Sequence, residues 1–254
     1  MIRFPRALSG VATALALLTA PAQALDLSTM SEAERAIFGA EVRAYLLENP
    51  EVIIEAVNLL EQRQAQTEAT QDEALVAANL EELQNDGYSW VGGNLDGDIT
   101  LVEFMDYRCG YCRRAAPEVA QLLAEDGNIR LVIKEFPILG EASMMASRFA
   151  VATRLVAGDK AYKQVHDALI EFGGDPNDVS LRRLSEELGL DADAIMAQMD
   201  SPEITQELAQ TRALAQRMKI SGTPTFVLQS ELLRGYLPAD QMSVIIAEMR
   251  DQRG

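Results

Sequence analysis

One stretch of the chain decides the fold: residues 99–112, ITLVEFMDYRCGYC. Residues 99–106 are a run of β-branched and apolar side chains after a turn-forming segment, which predicts a β-strand. Helical spacing follows over residues 111–125, and residues 129–136 repeat the strand pattern until Pro137 ends it. Strand, helix and strand at this spacing predict a βαβ unit, whose two parallel strands are joined by a right-handed crossover.

Residues 1–24 have the composition of a cleaved secretory signal. Arg3 and Arg6 precede an apolar run over residues 7–18, and residues 22–24 supply a small-residue cleavage site. The apolar run is too short to cross about 30 Å of hydrocarbon, and no later segment is long and apolar enough to do so. We therefore expect the mature protein to work outside the cytosol, where disulfides persist.

The charge and the metal-ligating residues exclude several classes of protein. The chain has 254 residues with 22 basic and 39 acidic side chains, a net charge of −17. So acidic a chain is not expected to bind a nucleic-acid backbone. Its two cysteines and one histidine cannot complete a four-ligand structural zinc site, and we expect neither a metal nor another cofactor.

Both cysteines, Cys109 and Cys112, lie at the junction of the first predicted strand and its helix. A C-x-x-C pair at such a junction is a specific redox signal in a secreted chain. The exposed N–H groups and the positive dipole end of the helix favour the thiolate form of the first sulfur. We therefore predict that Cys109 is the attacking nucleophile and that Cys112 resolves the mixed disulfide. A purely structural bridge closing so short a loop would contribute little stability.

Residues 25–87 differ from the rest, with 14 acidic and three basic side chains. The sequence Ser31-Glu32-Ala33-Glu34 predicts a capping box that opens one helix, and Asn49-Pro50 predicts the start of a second that reaches about Gln84. The polar stretch 61–73 is a candidate hinge or frayed segment. Two interpretations stay open: an oligomerisation stalk, or two helices folded back onto the main domain. The heptad pattern is shorter than a long coiled coil requires.

The remainder of the chain is helical and then β again. Residues 141–219 are almost wholly helical by pattern, which predicts an all-helical insertion after the βαβ unit. Residues 225–229 and 232–236 predict a short hairpin, and Pro238 opens a last helix.

Four further segments accompany the dithiol: VEF at 102–104, LVIKEFP at 131–137, GTPTF at 222–226 and YLLENPEVI at 45–53. With them the chain resembles the DsbA-type family of periplasmic thioredoxin-fold dithiol oxidoreductases, in particular its ScsC-like and Com1-like members with an N-terminal extension. The resemblance implies an α/β thioredoxin fold with an all-helical insertion, preceded by a helical stalk. Together with the residue patterns above, it divides the chain into a signal peptide at 1–24, a stalk or oligomerisation region at 25–87 and a DsbA-type domain at 88–254.

The resemblance also implies roles for the residues around the dithiol. Cys109 resembles the surface nucleophile of the family and Cys112 its buried resolving cysteine. Pro224 matches the family's cis-proline, which lies against the dithiol and presents backbone to an extended substrate. Thr223 precedes it, where family members tune redox behaviour. We expect Thr223 and the intervening Gly110-Tyr111 to contact substrate.

Three ionisable residues near the predicted strands need separate interpretation. Glu103 resembles the family's acid that moves protons near the inner cysteine, and burial in its strand would raise its pKa. Lys134 lies on the neighbouring strand, where it either pairs with Glu103 or extends to solvent at a sheet edge. His166 has helical spacing on an apolar face, which predicts a packing histidine.

The predicted activity is thiol–disulfide exchange on unfolded or misoxidised secreted proteins in the periplasm. Gly110-Tyr111 supplies no imidazolium to hold a thiolate, so we expect a less oxidising couple than the Pro-His motif gives, suited to isomerisation or mild oxidation. The resemblance adds a membrane redox partner, and oligomerisation through the stalk, with a trimer favoured, would favour isomerisation. The alternative function is copper handling, with both thiolates binding Cu(I).

Overall fold

The computed structural model of the chain describes residues 29–252. The predicted signal peptide at 1–24 lies outside the described residues. The chain divides into two compact units, residues 1–60 and 61–254. The predicted division at residues 87 and 88 stays a prediction, although the residues from 61 onward cluster with the rest of the second unit.

The described part of the first unit is helical. Helix α1 spans Glu32–Glu48, and α2, which begins in this unit, spans Glu51–Ala78. The predicted capping box is confirmed, because Ser31 N donates to a carboxylate oxygen of Glu34 at 2.8 Å while Glu34 N donates to Ser31 Oγ at 3.3 Å. None of the side chains of α1 is buried.

The polar stretch 61–73 is regular helix, so the predicted hinge is not seen there. Its glutamine and glutamate side chains are good helix formers. The helical backbone breaks instead at Asn79, with φ −121°, and a short helix α3 follows over Leu80–Gln84. The second predicted helix therefore ends at Ala78, earlier than the sequence pattern indicated.

Five strands form one sheet in the order β1-β3-β2-β4-β5. Strands β2 and β3 are parallel, and every other neighbouring pair is antiparallel. Helix α4, Gly110–Asp126, connects β2 to β3, so the predicted βαβ unit is confirmed. The strands are β1 Trp90–Gly93, β2 Ile99–Met105, β3 Ile129–Glu135, β4 Thr225–Leu228 and β5 Glu231–Arg234.

The edge strand β1 was not predicted from the sequence. It pairs with β3 in antiparallel register, with Trp90 opposite Ile133. Only two of its residues, Trp90 and Val91, carry side chains before two glycines end it, so it shows no alternating pattern.

The predicted helical insertion is confirmed. It consists of α5 Glu141–Glu171, α6 Asp178–Glu187, α7 Ala192–Gln198 and α8 Pro202–Arg217. Gly158, with φ 83°, interrupts α5, as only glycine does without strain. The hairpin of β4 and β5 follows, and α9 Ala239–Asp251 is the predicted last helix.

The sheet has an apolar cluster on each face, because successive side chains of a strand point to opposite sides. One cluster contains both cysteines together with Met105, Ile133 and Phe226. In the other cluster, side chains of the central strands pack against the end of α2, against α3 and against the end of α8. The strand residues are Val102, Phe104, Val132 and Val227, and the helical segments contribute Val76, Leu83, Leu214 and Met218. Within residues 29–252, no helix has the length and apolar composition to cross a bilayer.

Candidate active site

Cys109 is the N-cap residue of α4, and its mate Cys112 lies in the first turn of the same helix. Both cysteines are free thiols. The Cys109 residue is 8% exposed and Cys112 only 1%. The sulfur of Cys109 thus sits where the unpaired N–H groups and the positive dipole end of α4 favour a thiolate. It is more accessible than Cys112, as predicted, although it is itself largely covered.

The loop before the dithiol is shaped by Asp106, which the sequence analysis did not single out. Its buried carboxylate accepts hydrogen bonds from the backbone N–H of Arg108 at 2.8 Å, of Ile138 at 2.8 Å and of Leu139 at 3.1 Å. Its backbone carbonyl accepts from Cys109 N at 3.0 Å. Asp106 therefore fixes the start of α4 against the segment that follows β3. An acid directly after a buried strand was the available sequence signal.

The Thr223–Pro224 peptide bond is cis, as predicted. The carbonyl of Thr223 lies 3.1 Å from Cys109 Sγ, within hydrogen-bonding distance of the thiol. The carbonyl of Pro224 accepts from Gly235 N at 2.9 Å, which ties this loop to the end of the hairpin. The structure thus brings three of the predicted residues, Cys109, Thr223 and Pro224, together.

Glu103 is buried in the central strand β2, on the sheet face that carries the dithiol. Burial raises the pKa of Glu103 to about 7, and the nearby Glu135 carboxyl adds to the rise. Burial also raises the pKa of the Cys112 thiol, with a further contribution from the charge of Glu103. A thiol that resists ionisation beside a carboxyl that titrates near neutrality is a suitable donor and acceptor pair for proton transfer.

Neither interpretation of Lys134 is correct. Its ammonium is fully buried, donates to the Glu82 carbonyl at 2.8 Å and forms an ion pair with Asp86. In the β2–β3 register Lys134 lies opposite Phe104, whereas Glu103 lies opposite Ile133. The two charged side chains therefore point to opposite faces of the sheet.

The residues between the cysteines lie open to solvent. A Cβ atom added at Gly110 would meet nothing within 4 Å, and Tyr111 is 58% exposed. The guanidinium of Arg114 lies over the Tyr111 ring at 5.7 Å and over the Tyr236 ring at 4.9 Å. Tyr236 follows Gly235, so this aromatic and cationic surface continues from the Pro224 loop. Arg114 and Tyr236 carried no signal in the sequence analysis.

A buried polar cluster lies beside the dithiol loop and was missed as well. The carboxylate of Glu135 accepts from the hydroxyls of Tyr107, Tyr162 and Ser147 at 2.7, 2.6 and 2.7 Å. His166 Nδ1 is 3.1 Å from the Tyr107 hydroxyl, and the His166 ring stacks on Tyr162. His166 is buried, as predicted for a packing histidine, and burial lowers its pKa to about 4.

Among the described residues, no three or more histidine, cysteine, aspartate or glutamate side chains come together in a way that could hold a metal ion. The two thiols of the dithiol are thus the soft ligands available at this site. Two of the buried acids around it, Glu135 and Asp106, accept hydrogen bonds from hydroxyls and backbone N–H groups.

Comparison with known proteins gives two family matches. The DSBA-like thioredoxin domain matches residues 100–247. The N-terminal domain of the copper resistance protein ScsC matches residues 34–67. The first match includes both cysteines and Pro224, and the second includes most of α1 and the first half of α2.

Two solved structures are similar to this chain over different shares of its length. A thioredoxin-like oxidoreductase from Silicibacter pomeroyi is 41% identical, with a TM-score of 0.63, covering 67% of this chain and 97% of its own. ScsC from Proteus mirabilis, in a transitional conformation, is 26% identical, with a TM-score of 0.62, covering 87% of this chain and 97% of its own.

The chain spans about a quarter of the length of several curated relatives. One of them, the Na(+)/H(+) antiporter NhaA 3 of Salinispora tropica, is 28% identical over 156 residues, which are 61% of this chain and 24% of that protein. The DSBA-like match, by contrast, covers more than half of the chain and the whole region that holds the dithiol. The chain therefore belongs to the DSBA-like thioredoxin domain family, with an N-terminal segment of the ScsC type.

Proposed function

We propose that the protein is a periplasmic thiol–disulfide oxidoreductase that acts on unfolded or misoxidised secreted proteins. One observation carries the proposal: the sulfur of Cys109 lies at the N-terminus of α4, 3.1 Å from the Thr223 carbonyl that precedes the cis Pro224. A thiolate at this position has dipolar stabilisation and an adjacent backbone edge for an extended client.

The reaction begins when the Cys109 thiolate attacks a disulfide of the client. A Cys109–client disulfide forms, and the other client cysteine leaves as a thiolate. Glu103 then takes the proton of Cys112, and the Cys112 thiolate attacks the Cys109 sulfur. The Cys109–Cys112 disulfide forms, the second client thiolate leaves, and the client is reduced. Oxidation of a client is the reverse sequence, and isomerisation occurs when a client thiolate displaces Cys109 instead.

The client contacts follow from the open side of the dithiol. Thr223 and Pro224 offer backbone on one side of Cys109, and the space over Gly110 is empty. Tyr111 offers an exposed aromatic ring, held by Arg114. Such a surface suits a segment of unfolded chain, because backbone and aromatic contacts do not demand one particular sequence.

The residues between the cysteines and the N-terminal helices both favour isomerisation or mild oxidation of clients. Gly110-Tyr111 contributes no positive charge to the thiolate, which favours isomerisation or mild oxidation over strong oxidation. Large apolar side chains of α1 and of the start of α2 are exposed: Ile37, Phe38, Val42, Tyr45, Leu47, Ile53, Ile54, Val57, Leu59 and Leu60. We infer that these apolar side chains form the interface between copies of the chain, with a trimer favoured, so that several dithiols face one client.

The test is recovery of a scrambled disulfide protein by the mature chain, with glutathione as the recharging couple. We expect exchange that disappears in Cys109→Ser and a trapped client disulfide in Cys112→Ser.

The copper alternative draws on the match to the N-terminal domain of a copper resistance protein. Stoichiometric Cu(I) binding by both thiolates, with no exchange activity, would replace our proposal with that one.

A further inference from the structure

Glu135 is a second buried carboxyl on the dithiol side of the sheet, and the reaction above does not use it. It lies at the C-terminal end of β3, where it pairs with Met105, while Glu103 pairs with Ile133. Glu103 and Glu135 are therefore diagonal neighbours on one face of adjacent parallel strands, a distance at which their charges interact. Within residues 29–252, neither carboxyl forms an ion pair.

Burial raises the pKa of Glu135, but its hydrogen bonds favour the charged form. Three hydroxyl groups donate to it: Tyr107 and Tyr162 to Oε1 at 2.7 and 2.6 Å, and Ser147 to Oε2 at 2.7 Å. An ionised carboxylate only accepts hydrogen bonds, so three donors stabilise the anion against the cost of burial. On its other side the Tyr107 hydroxyl lies 3.1 Å from His166 Nδ1.

The surroundings of Glu103 favour its neutral form instead. No described residue donates a hydrogen bond to its carboxyl, and its antiparallel partner on β4 is the apolar Phe226. When the two carboxyls share one proton, that proton therefore resides on Glu103. Burial raises the pKa of both groups to about 7, so the pair takes up and releases this proton near neutral pH.

We propose that Glu135 is a positioning residue for the exchange reaction: held as an anion by three hydroxyls, it keeps Glu103 basic enough to remove the proton of Cys112. The inference rests on the proposed function. In the step concerned, the S–H bond of Cys112 breaks and its proton moves to a Glu103 oxygen. The resulting thiolate forms the bond to Cys109, and the client sulfur leaves with the electron pair of the broken disulfide.

Other ionisable groups around the pair limit the pH range of a useful test. They are Asp106 and Tyr107 in the loop after β2, Cys109 and Cys112 at α4, Arg154, Tyr162 and His166 on α5, and Tyr88 and Glu207 across a small cavity. Burial lowers the pKa of His166 to about 4, so it is neutral above pH 5. Burial raises the pKa of Tyr107 and Tyr162 well above their ordinary range.

The experiment times the attack of Cys112 on the mixed disulfide of Cys109 between about pH 5.5 and 9. Reduced protein is mixed with a peptide disulfide, and the second phase is followed by rapid acid quenching. We expect the wild-type rate to rise with pH as Glu103 loses its proton. In Glu135→Gln the midpoint should move about one unit to lower pH, and the plateau rate should fall about threefold because Glu103 is a weaker base.

Two further variants keep the test decisive. Tyr162→Phe removes one donor from Glu135 and should move the midpoint in the same direction by less, so it serves if Glu135→Gln does not fold. Glu125→Gln, at an exposed position of α4, should leave the midpoint where it is. A Glu135→Gln rate that falls equally at every pH, with its midpoint unmoved, overturns the inference. Absence of any exchange by the wild-type chain overturns the proposed function instead.

Discussion

Glu103 and Lys134 differ by one position in the register of two neighbouring strands, and that single step separates their chemistry. Glu103 shares its sheet face with the dithiol, whereas Lys134 emerges on the other face and neutralises Asp86. Sequence reasoning found both residues and offered either a Glu103–Lys134 pair or a solvent-facing lysine, because adjacent strands were predicted and their register was not. Burial of each could be predicted, but the partner of each depended on long-range pairing.

The raised pKa of Glu103 makes the stability of the reduced protein depend on pH. Between an ordinary pKa of 4.5 and the folded pKa of about 7, the folded chain keeps a proton that the unfolded chain has lost. The free energy of unfolding therefore falls as the pH rises through this range. We expect Glu103→Gln to match the wild type at pH 4 and to be more stable by about 3 kcal/mol at pH 8.

Urea unfolding of both reduced proteins at the two pH values measures this difference. Glu125→Gln, at an exposed position of α4, is the control for loss of a carboxyl. A Glu103→Gln protein less stable than the wild type at pH 8 would show that the carboxyl is held as a stabilised anion, contrary to our account.

The two residues between the cysteines are predicted to set the reduction potential. Gly110 is the first residue of α4, a position that accepts proline, and Tyr111 projects to solvent. The double variant Gly110→Pro, Tyr111→His should fold normally and add a partial positive charge beside the thiolate. We expect a potential more oxidising by about 30 mV or more, measured by equilibration with glutathione. Tyr111→Phe is the control, and an unchanged potential in the double variant contradicts the prediction.

At the scale of elements, the end of α2 and helix α3 form a layer of the catalytic unit. Val76 and Leu83 are buried against the sheet face opposite the dithiol. Polar contacts add to this packing: Arg234 and Asp72 form an ion pair, and Arg130 donates to the Gln84 carbonyl at 2.9 Å. This segment resembles the folded-back interpretation more than a free stalk, and it supplies the counter-charge for buried Lys134.

Two truncations test this assignment. A chain that starts at residue 61 keeps the whole layer and should unfold at nearly the temperature of the mature protein. A chain that starts at residue 88 loses the burial of Val76 and Leu83 and the contacts of Lys134 with Glu82 and Asp86, which together cost about 5 kcal/mol. Calorimetry should show a lower midpoint or no transition for the shorter chain. Equal midpoints would place the boundary at residues 87 and 88, as the composition alone suggests.

Local sequence patterns predicted the elements that carry the chemistry. Features that depend on contacts between distant segments were not predicted. The βαβ unit and the dithiol at the start of α4 are encoded by contiguous residues with strong patterns. The cis Pro224 was predicted from the family resemblance of the segment around it. Strand β1 has too few side chains to show a period. The hydroxyl cluster around Glu135 joins β3, the dithiol loop and α5, and no residue pattern in the sequence predicts that these three segments come into contact.

At the scale of the whole molecule, a net charge of −17 coexists with an apolar N-terminal surface. Like charges on a strongly acidic chain oppose association at low ionic strength and are screened by salt. If the apolar residues of α1 and α2 drive assembly, the mature protein should therefore remain oligomeric, or become more so, as salt is raised. Assembly by ion pairs would show the opposite trend.

Substitution of the exposed apolar residues tests the oligomer directly. Ile37 and Ile54 are 71% and 60% exposed, so an aspartate at either position costs little in a lone chain. In an oligomer each would bury an unpaired charge at the interface. Light scattering should give about three copies for the mature protein and one for Ile37→Asp, Ile54→Asp. Val179→Asp, at a 79% exposed position of α6, should leave the mass unchanged.

The monomeric variant should keep Cys109-dependent exchange and lose isomerase activity, since one dithiol no longer shares its client with others. A mature protein that is already monomeric removes the stalk from the proposal and favours oxidation as the reaction.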